Sequence, residues 1–293
     1  MKLVRFNKPV PNFTLIWPGL CGLAIYDVPS FEQIGLFTCG ALAMRCIAVT
    51  VNDVVDADVD QKVLRTNQRP IVKKELSDGE VMTFLTAQLG VASLLYIQLT
   101  RPAQLIAASS LIPMSIYPCT KLCTYFPQLF LGLTINLALP IGWCHASNLC
   151  ITSAPPSVFL AYTGFVGWTL IYDTVYATMD VNNGDKEANV QSIARHLSQP
   201  SHLKGFLHVC NLLSSAMFML SGYYVQSAEV YVYITSILTN QIITHFNIHN
   251  LTAGLNESVE RFFLLSCLST SLVFFGLILS NQKSKVKILN VAE

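Results

Sequence analysis

Charge is what this chain of 293 residues has least of. Asp, Glu, Lys and Arg together make up 12% of it, about half the share in a soluble domain. Hydrophobic residues make up 52%, and the mean hydropathy is +0.49. That balance excludes an ordinary soluble enzyme or binding module. A net charge of +1, with no basic arm and no nucleic-acid motif, excludes a nucleic-acid partner. None of the nine cysteines has zinc spacing or a place in a disulfide framework, so they read as small apolar core residues. The N-terminal MKLVRFNKPVPNF is too short for a separate transit peptide, and no small-residue cleavage site follows the first apolar run, which reads as a retained helix. No linker or low-complexity segment divides the chain, so one domain, 1–293, is expected.

What is present is a series of long apolar runs: Pro11–Ile25, Phe31–Val51, Val81–Thr100, Gln104–Pro118, Gln128–Ala146, Ser157–Tyr172, Phe206–Val225, Val230–Phe246 and Phe262–Ser280. A helix of about 20 apolar residues crosses the hydrocarbon core of a bilayer. The runs predict an all-α, polytopic membrane bundle of about nine helices. Basic residues alternate between the connections. Lys2, Arg5 and Lys8 precede the first run, five bases from Lys62 to Lys74 follow the second, Lys121 follows the fourth, and Lys186, Arg195 and Lys204 follow the sixth. This bias places the N-terminus and those loops in the cytoplasm. Lys283, Lys285 and Lys287 disagree, because nine spans put them on the opposite face.

The scarce acids are gathered. VNDVVDADVD holds four aspartates and an asparagine between Asn52 and Asp60. Asn52, Asp56 and Asp60 recur at i, i+4 and i+8, which stacks them on one helix face. Asp53 lies beside that face and Asp58 roughly opposite. Like charges at this spacing repel, and carboxylates at a hydrocarbon boundary cost more still. A divalent cation removes both objections. Magnesium takes oxygen ligands and binds through one or two carboxylates plus substrate phosphates. A second cluster, YDTVYATMDVNNGDKE, offers Asp173, Asp180 and Asp185 on the same side of the membrane. Two facing clusters could hold a diphosphate between metal ions, with the nearby bases on its oxygens. Alone, a short acidic run is a solvated helix end more often than a site; its pairing with a second cluster on one face tips that balance. An EF-hand is excluded, because the loop glycine and the twelfth-position glutamate are missing. His145, His208, His245 and His249 have no metal spacing.

NDVVDADVD resembles the first aspartate-rich motif, N-D-x-x-D-x-x-x-D, of the UbiA superfamily of intramembrane prenyltransferases. Met44–Ile71 and Tyr117–Trp143 are similar to the same family over most of their length. WTLIYDTVYATMD resembles the Y-D-T-x-Y-A-x-x-D segment of its 4-hydroxybenzoate polyprenyltransferase branch. The resemblance runs from Arg5 to the ninth run. It implies a helical bundle around a cavity open to the cytoplasm and laterally to lipid. It also implies Mg²⁺-dependent ionisation of an allylic prenyl diphosphate and attack by an aromatic acceptor. By position, Asn52, Asp56 and Asp60 would hold one Mg²⁺, and Asp180 with Asp185 the other. Lys121 would contact diphosphate, with Arg45, Arg69 and Asp53 placing diphosphate or acceptor. Tyr117 would stand near the allylic cation, and Asp173 and Tyr176 would complete the second polar wall.

Three departures bear on the acceptor. The second motif of the family reads D-x-x-x-D, whereas here the last carboxylate is one place late, at Asp185. Gln191 stands where the quinone branch commonly has lysine. Thr178 and Met179 stand where it often has His-Gln. With the short N-terminus, these departures lead to the expectation of a fungal-type meroterpenoid enzyme of specialised metabolism in an endoplasmic-reticulum-type membrane, adding a geranyl- or farnesyl-class chain to a phenolic acid, hydroquinone or polyketide. The other readings are a membrane terpene cyclase of the same fold, a ubiquinone-pathway 4-hydroxybenzoate polyprenyltransferase and a cation-coupled transporter. The acids of a transporter would lie near the bilayer midplane, not at cytoplasmic helix ends.

Overall fold

The computed structural model describes Leu3 and residues 10–63, 66–181, 191–197, 199–225 and 230–292, with side chains described from 13 to 281 within those ranges. The described residues form α1 (Val10–Tyr26), α2 (Phe31–Val55), α3 (Ala57–Asp60), α4 (Asp78–Tyr96), α5 (Arg101–Ser109), α6 (Leu111–Cys123), α7 (Pro127–Ile135), α8 (Ala138–Ser147), α9 (Pro156–Ala177), α10 (Ile193–His196), α11 (Pro200–Val225), α12 (Val230–His249) and α13 (Asn256–Ala292). No strand occurs among them. Every apolar run of the sequence falls on helix. Five segments are long and apolar enough to cross a membrane on their own: Phe31–Val55, Pro127–Ser147, Pro156–Ala177, Pro200–Val225 and Asn256–Asn281. The expected nine spans exceed those five. The side chains of Lys283, Lys285 and Lys287, which disagreed with the charge bias, lie outside the described residues.

Two of the runs are broken, and proline accounts for both breaks. A proline ring in a helix lacks the amide hydrogen and clashes with the carbonyl four residues back. Pro140 lies four residues after Asn136, where α7 gives way to α8. The break is mended locally: Leu139 N–H donates to the Asn136 carbonyl at 2.9 Å, and Asn136 Nδ2 donates to Gly132 O and Thr169 Oγ1, each at 2.8 Å. Pro113 likewise lies four residues after Ser109, the last residue of α5. The helix starts are more regular. Ser30 and Ser77 open α2 and α4 with capping boxes, reciprocated by Gln33 and Glu80.

Neighbouring helices pack in the order α4, α2, α1, α13, α12, α11, α9, with α8 against α1 and α5, and α7 against α9. The core lies among α1, α8, α9, α11 and α13. Phe218, Phe165, Trp168, Tyr172 and Phe263 meet edge to face, with centroids 4.8–5.9 Å apart, the geometry the ring quadrupole favours. Trp168 Nε1 donates to Ser266 Oγ at 3.0 Å, which satisfies the indole inside the bundle.

Helix association in lipid rests on close van der Waals approach, since lipid tails are as apolar as leucine. The contact of α1 with α8 shows this. A Cβ on Gly22 would stand 2.0 Å from the Leu139 carbonyl oxygen, and one on Gly142 would stand 2.3 Å from Gly19 O. Both obstacles are backbone and cannot swing aside. Gly22→Ala should therefore destabilise the protein by about 3 kcal/mol, read by thermal unfolding in detergent. Gly35→Ala, whose Cβ meets nothing within 4 Å, should not. Equal stability of the two variants would rule out the close approach.

Candidate active site

The first acidic cluster sits where α2 runs out. Asp56 ends the helix and α3 follows at once, yet the i, i+4 hydrogen bonds continue through the junction. Asp56 N–H donates to Asn52 O and Asp60 N–H to Asp56 O, each at 2.8 Å. Asn52, Asp56 and Asp60 therefore keep the column expected from their spacing. Asp58 is exposed on the other side. Asp53 is buried with 1% of its surface exposed, and Asp60 with 5%.

Cations meet these acids from two directions. Lys121 Nζ, in the last turn of α6, lies 2.6 Å from an Asp56 carboxylate oxygen and 3.1 Å from Asn52 Oδ1. Arg69 Nη1 lies 3.1 Å from Asp53 and forms a short bond to Asp60. The loop that brings Arg69 back is held by Thr66. This buried threonine donates from Oγ1 to Asp60 O at 3.1 Å, and its carbonyl accepts from Arg69 N–H at 3.0 Å. Burial pushes the Asp60 carboxyl above its ordinary value. Arg69 and Thr66 pull it back down, and Asp56 and Asp53 push it up again. Arg69 alone therefore does not offset the burial of this group.

The second cluster approaches from α9. Asp173 lies within electrostatic reach of both Lys121 and Asp180. Tyr117, one turn before Lys121 on α6, lies within reach of Asp173 and Asp56. Lys121 Nζ stands 5.4 Å from the centroid of the Tyr117 ring. Asn52, Asp56 and Lys121 are thus in direct contact, Tyr117 lies beside Lys121, and Asp173 is near enough to Lys121 and Asp180 for their charges to act on it. Arg69, Asp53 and Asp60 form an adjoining group. Arg45 lies seven residues before Asn52 on the same face of α2. Tyr176 packs its ring edge to face on Phe263 of α13 at 6.0 Å. Asp185 lies outside the described residues.

Two of the departures occupy core positions. Thr178 and Met179 are 5% and 4% exposed. Thr178 Oγ1 donates to Val175 O at 2.7 Å and accepts from Gly254 N–H at 3.1 Å, and Met179 joins the hydrophobic core. Gln191 is near the site through its backbone, with its N–H donating to the Lys121 carbonyl at 2.8 Å. Sequence reasoning missed Thr66 and the buried Gln128, whose roles depend on contacts that periodicity does not reveal.

Oxygen dominates the donor set: carboxylates at 53, 56, 60, 173 and 180, and the Asn52 amide. Among the described residues no group of three or more His, Cys, Asp or Glu side chains is placed to hold a metal ion. Magnesium binds through one or two carboxylates and completes its shell with waters and substrate phosphates, so oxygen donors of this type suit it without such a group.

Residues 15–281 match the UbiA prenyltransferase family. Over 96% of its length the chain is 33% identical to the mitochondrial 4-hydroxybenzoate polyprenyltransferase of Arabidopsis thaliana, of which it covers 68%. It is 33% identical to the human protein of the same name, again over 96% of this chain and 75% of that protein. With the Drosophila melanogaster protein of that name it shares 36% identity over 70% of this chain, and there it spans about half of the relative, 53%. The fold is similar to that of a UbiA homologue from Aeropyrum pernix K1, with a TM-score of 0.70 at 20% identity, covering 92% of this chain and 96% of that one. It is also similar to a UbiA homologue from Archaeoglobus fulgidus bound to GPP and Mg²⁺, with a TM-score of 0.69 at 18% identity, covering 95% and 99%. Motifs, helical architecture and paired acidic clusters agree with these matches, and the chain belongs to the UbiA prenyltransferase family.

Proposed function

We propose that the protein transfers a prenyl chain from an allylic diphosphate to an aromatic acceptor inside a membrane, with Mg²⁺ as its cofactor. The observation that supports this reading is Lys121, whose ammonium meets Asn52 and Asp56 of the first acidic cluster and acts electrostatically on Asp173 near the second. Asn52, Asp56 and Asp60 would hold one metal ion, and Asp180 with Asp185 the other. Bound magnesium neutralises the charge that develops as diphosphate leaves, without proton transfer. The side chains of this protein do the rest. Lys121 and Arg69 meet phosphate oxygens, with Asp53 fixing the guanidinium. The Tyr117 ring face lies where it can stabilise positive carbon. Asp173, Tyr176 and Arg45 orient the acceptor. The surrounding apolar helices keep water from capturing the cation first. One carbon–oxygen bond breaks, one carbon–carbon bond forms, and the ring gives up a proton.

A phenolic acid of the 4-hydroxybenzoate type is the acceptor this reading favours, because the relatives described above carry that name. A specialised-metabolism acceptor is the second reading. It loses part of its basis, since Thr178 and Met179 are buried, which leaves Gln191 and the displaced Asp185 to speak for it. The same relatives are named mitochondrial, which favours a mitochondrial membrane over one of the endoplasmic-reticulum type.

The test uses membranes containing the full chain, Mg²⁺, and geranyl, farnesyl or longer polyprenyl diphosphate. Each is offered 4-hydroxybenzoate, hydroquinones or phenolic polyketides, and products are read by mass. Prenylated 4-hydroxybenzoate should form, vanish with EDTA and return with excess Mg²⁺. Prenylation of the other aromatics alone would establish the second reading. An acceptor-independent hydrocarbon or alcohol would mean a terpene cyclase. No consumption of diphosphate by folded protein, across the acceptor panel, would overturn the transferase reading and favour a transporter.

A further inference from the structure

The segment that returns from the second acidic cluster is fastened to the helix that carries Lys121. Ser192 is extended, with φ −157° and ψ 158°. In extended backbone, alternate amides point the same way, so the N–H groups of residues 191 and 193 share one side. Both find acceptors on the corner between α6 and α7. Gln191 N–H donates to the Lys121 carbonyl at 2.8 Å. That carbonyl is one of the last four of α6, which the helix itself leaves without a partner. Ile193 N–H donates to Gln128 Oε1 at 3.3 Å. Gln128 stands at the second position of α7 and is 2% exposed; Ile193 is 2% and Ala194 3% exposed. The His196 and Tyr125 rings meet at 5.2 Å and close the other end.

A buried glutamine facing a backbone amide is costly to leave unpaired, and its place here has a consequence for the site. Lys121 reaches Asn52 and Asp56 from the last turn of α6, where a helix frays most readily. We propose that Gln128 is a positioning residue for prenyl transfer. It latches residues 191–197 onto the α6–α7 corner and so holds the end of α6, keeping the Lys121 ammonium on Asn52 and Asp56. This inference rests on the role given to Lys121 above.

Gln128→Met keeps the length and removes the acceptor. Ile193→Pro removes the donor at the first position of α10, where a helix tolerates proline and where the extended Ser192 suits a following proline. Two readouts apply. The first is trypsin cleavage after Arg195 in detergent-solubilised full-length protein, which follows opening of the segment and needs no activity. The second is the separate KM for prenyl diphosphate and for acceptor. Gln128→Met should speed cleavage and raise the diphosphate KM, each about tenfold, the equivalent of one buried hydrogen bond. The acceptor KM should stay within about twofold. The double variant with Ile193→Pro should be no worse than the more impaired single variant. Faster cleavage without a change in diphosphate KM would overturn the positioning role. So would effects that multiply in the double variant. If the native protein transfers no prenyl group, the functional reading fails, and the cleavage rates still decide whether the latch exists.

Discussion

Asp56→Ala should lower prenyl transfer by about 10³-fold, the upper range for loss of one preorganised electrostatic group, while leaving a folded, membrane-inserted protein. Asp56 is in direct contact with Lys121, at 2.6 Å. Its removal would take a carboxylate from the proposed metal set and leave the ammonium without this partner. Asp56 is buried and Lys121 mostly so, so breaking the pair from one side should also cost stability, about 3 kcal/mol. Turnover should fall by far more than the loss of folded protein, read by thermal unfolding, accounts for. Asp56→Asn, which retains an oxygen for Lys121 and loses the charge, should be nearly as inactive. Native turnover in Asp56→Ala would remove this carboxylate from the metal set. Partial recovery of Asp56→Asn at high Mg²⁺ would support the assignment.

Arg69→Ala should act on stability first. Its guanidinium serves Asp53 and Asp60 together, and both are almost fully buried. Breaking a buried ion pair from one side leaves an uncompensated charge and costs about 3–5 kcal/mol. Thermal unfolding in detergent should show that loss. Arg69→Lys should recover only part of it, because an ammonium is more strongly hydrated than a guanidinium and costs more to bury. Asp53→Asn in the Arg69→Ala background should recover part as well, by removing one of the two stranded charges. An Arg69→Ala protein as stable as the native one, yet inactive, would mean that Arg69 serves diphosphate alone and does not brace the first cluster.

These expectations show which properties are local and which are not. The helical class, the membrane habitat and the column of Asn52, Asp56 and Asp60 could be read from sequence, because hydropathy and the 3.6-residue period act along one chain segment. So could the oxygen chemistry of the site, since residue type alone determines donor class. The two helix breaks were not read from sequence, where Gln104–Pro118 and Gln128–Ala146 stood as unbroken runs; a proline inside a run does not by itself break it, since Pro18 and Pro118 lie within helices. The assignment of cations to acids could not be read in this way. Lys121 meets Asp56 across 65 residues, and nothing in either segment states which of several bases arrives there. Thr178 and Met179 looked like changes at the acceptor but are buried just past the end of α9, Met179 in the hydrophobic core. Gln128 looked like the polar edge of an apolar run and proves to be the acceptor for a distant backbone amide. The amino-acid sequence by itself determined the helical class, the column of Asn52, Asp56 and Asp60, and the family. The tertiary structure decided the pairing of Lys121 and Arg69 with particular acids and the fastening of residues 191–197. The reason is that periodicity fixes a side chain's angle about its own helix axis, whereas the rotation and depth of one helix against another in lipid depend on close packing and interhelical hydrogen bonds, which exist only once the bundle has formed.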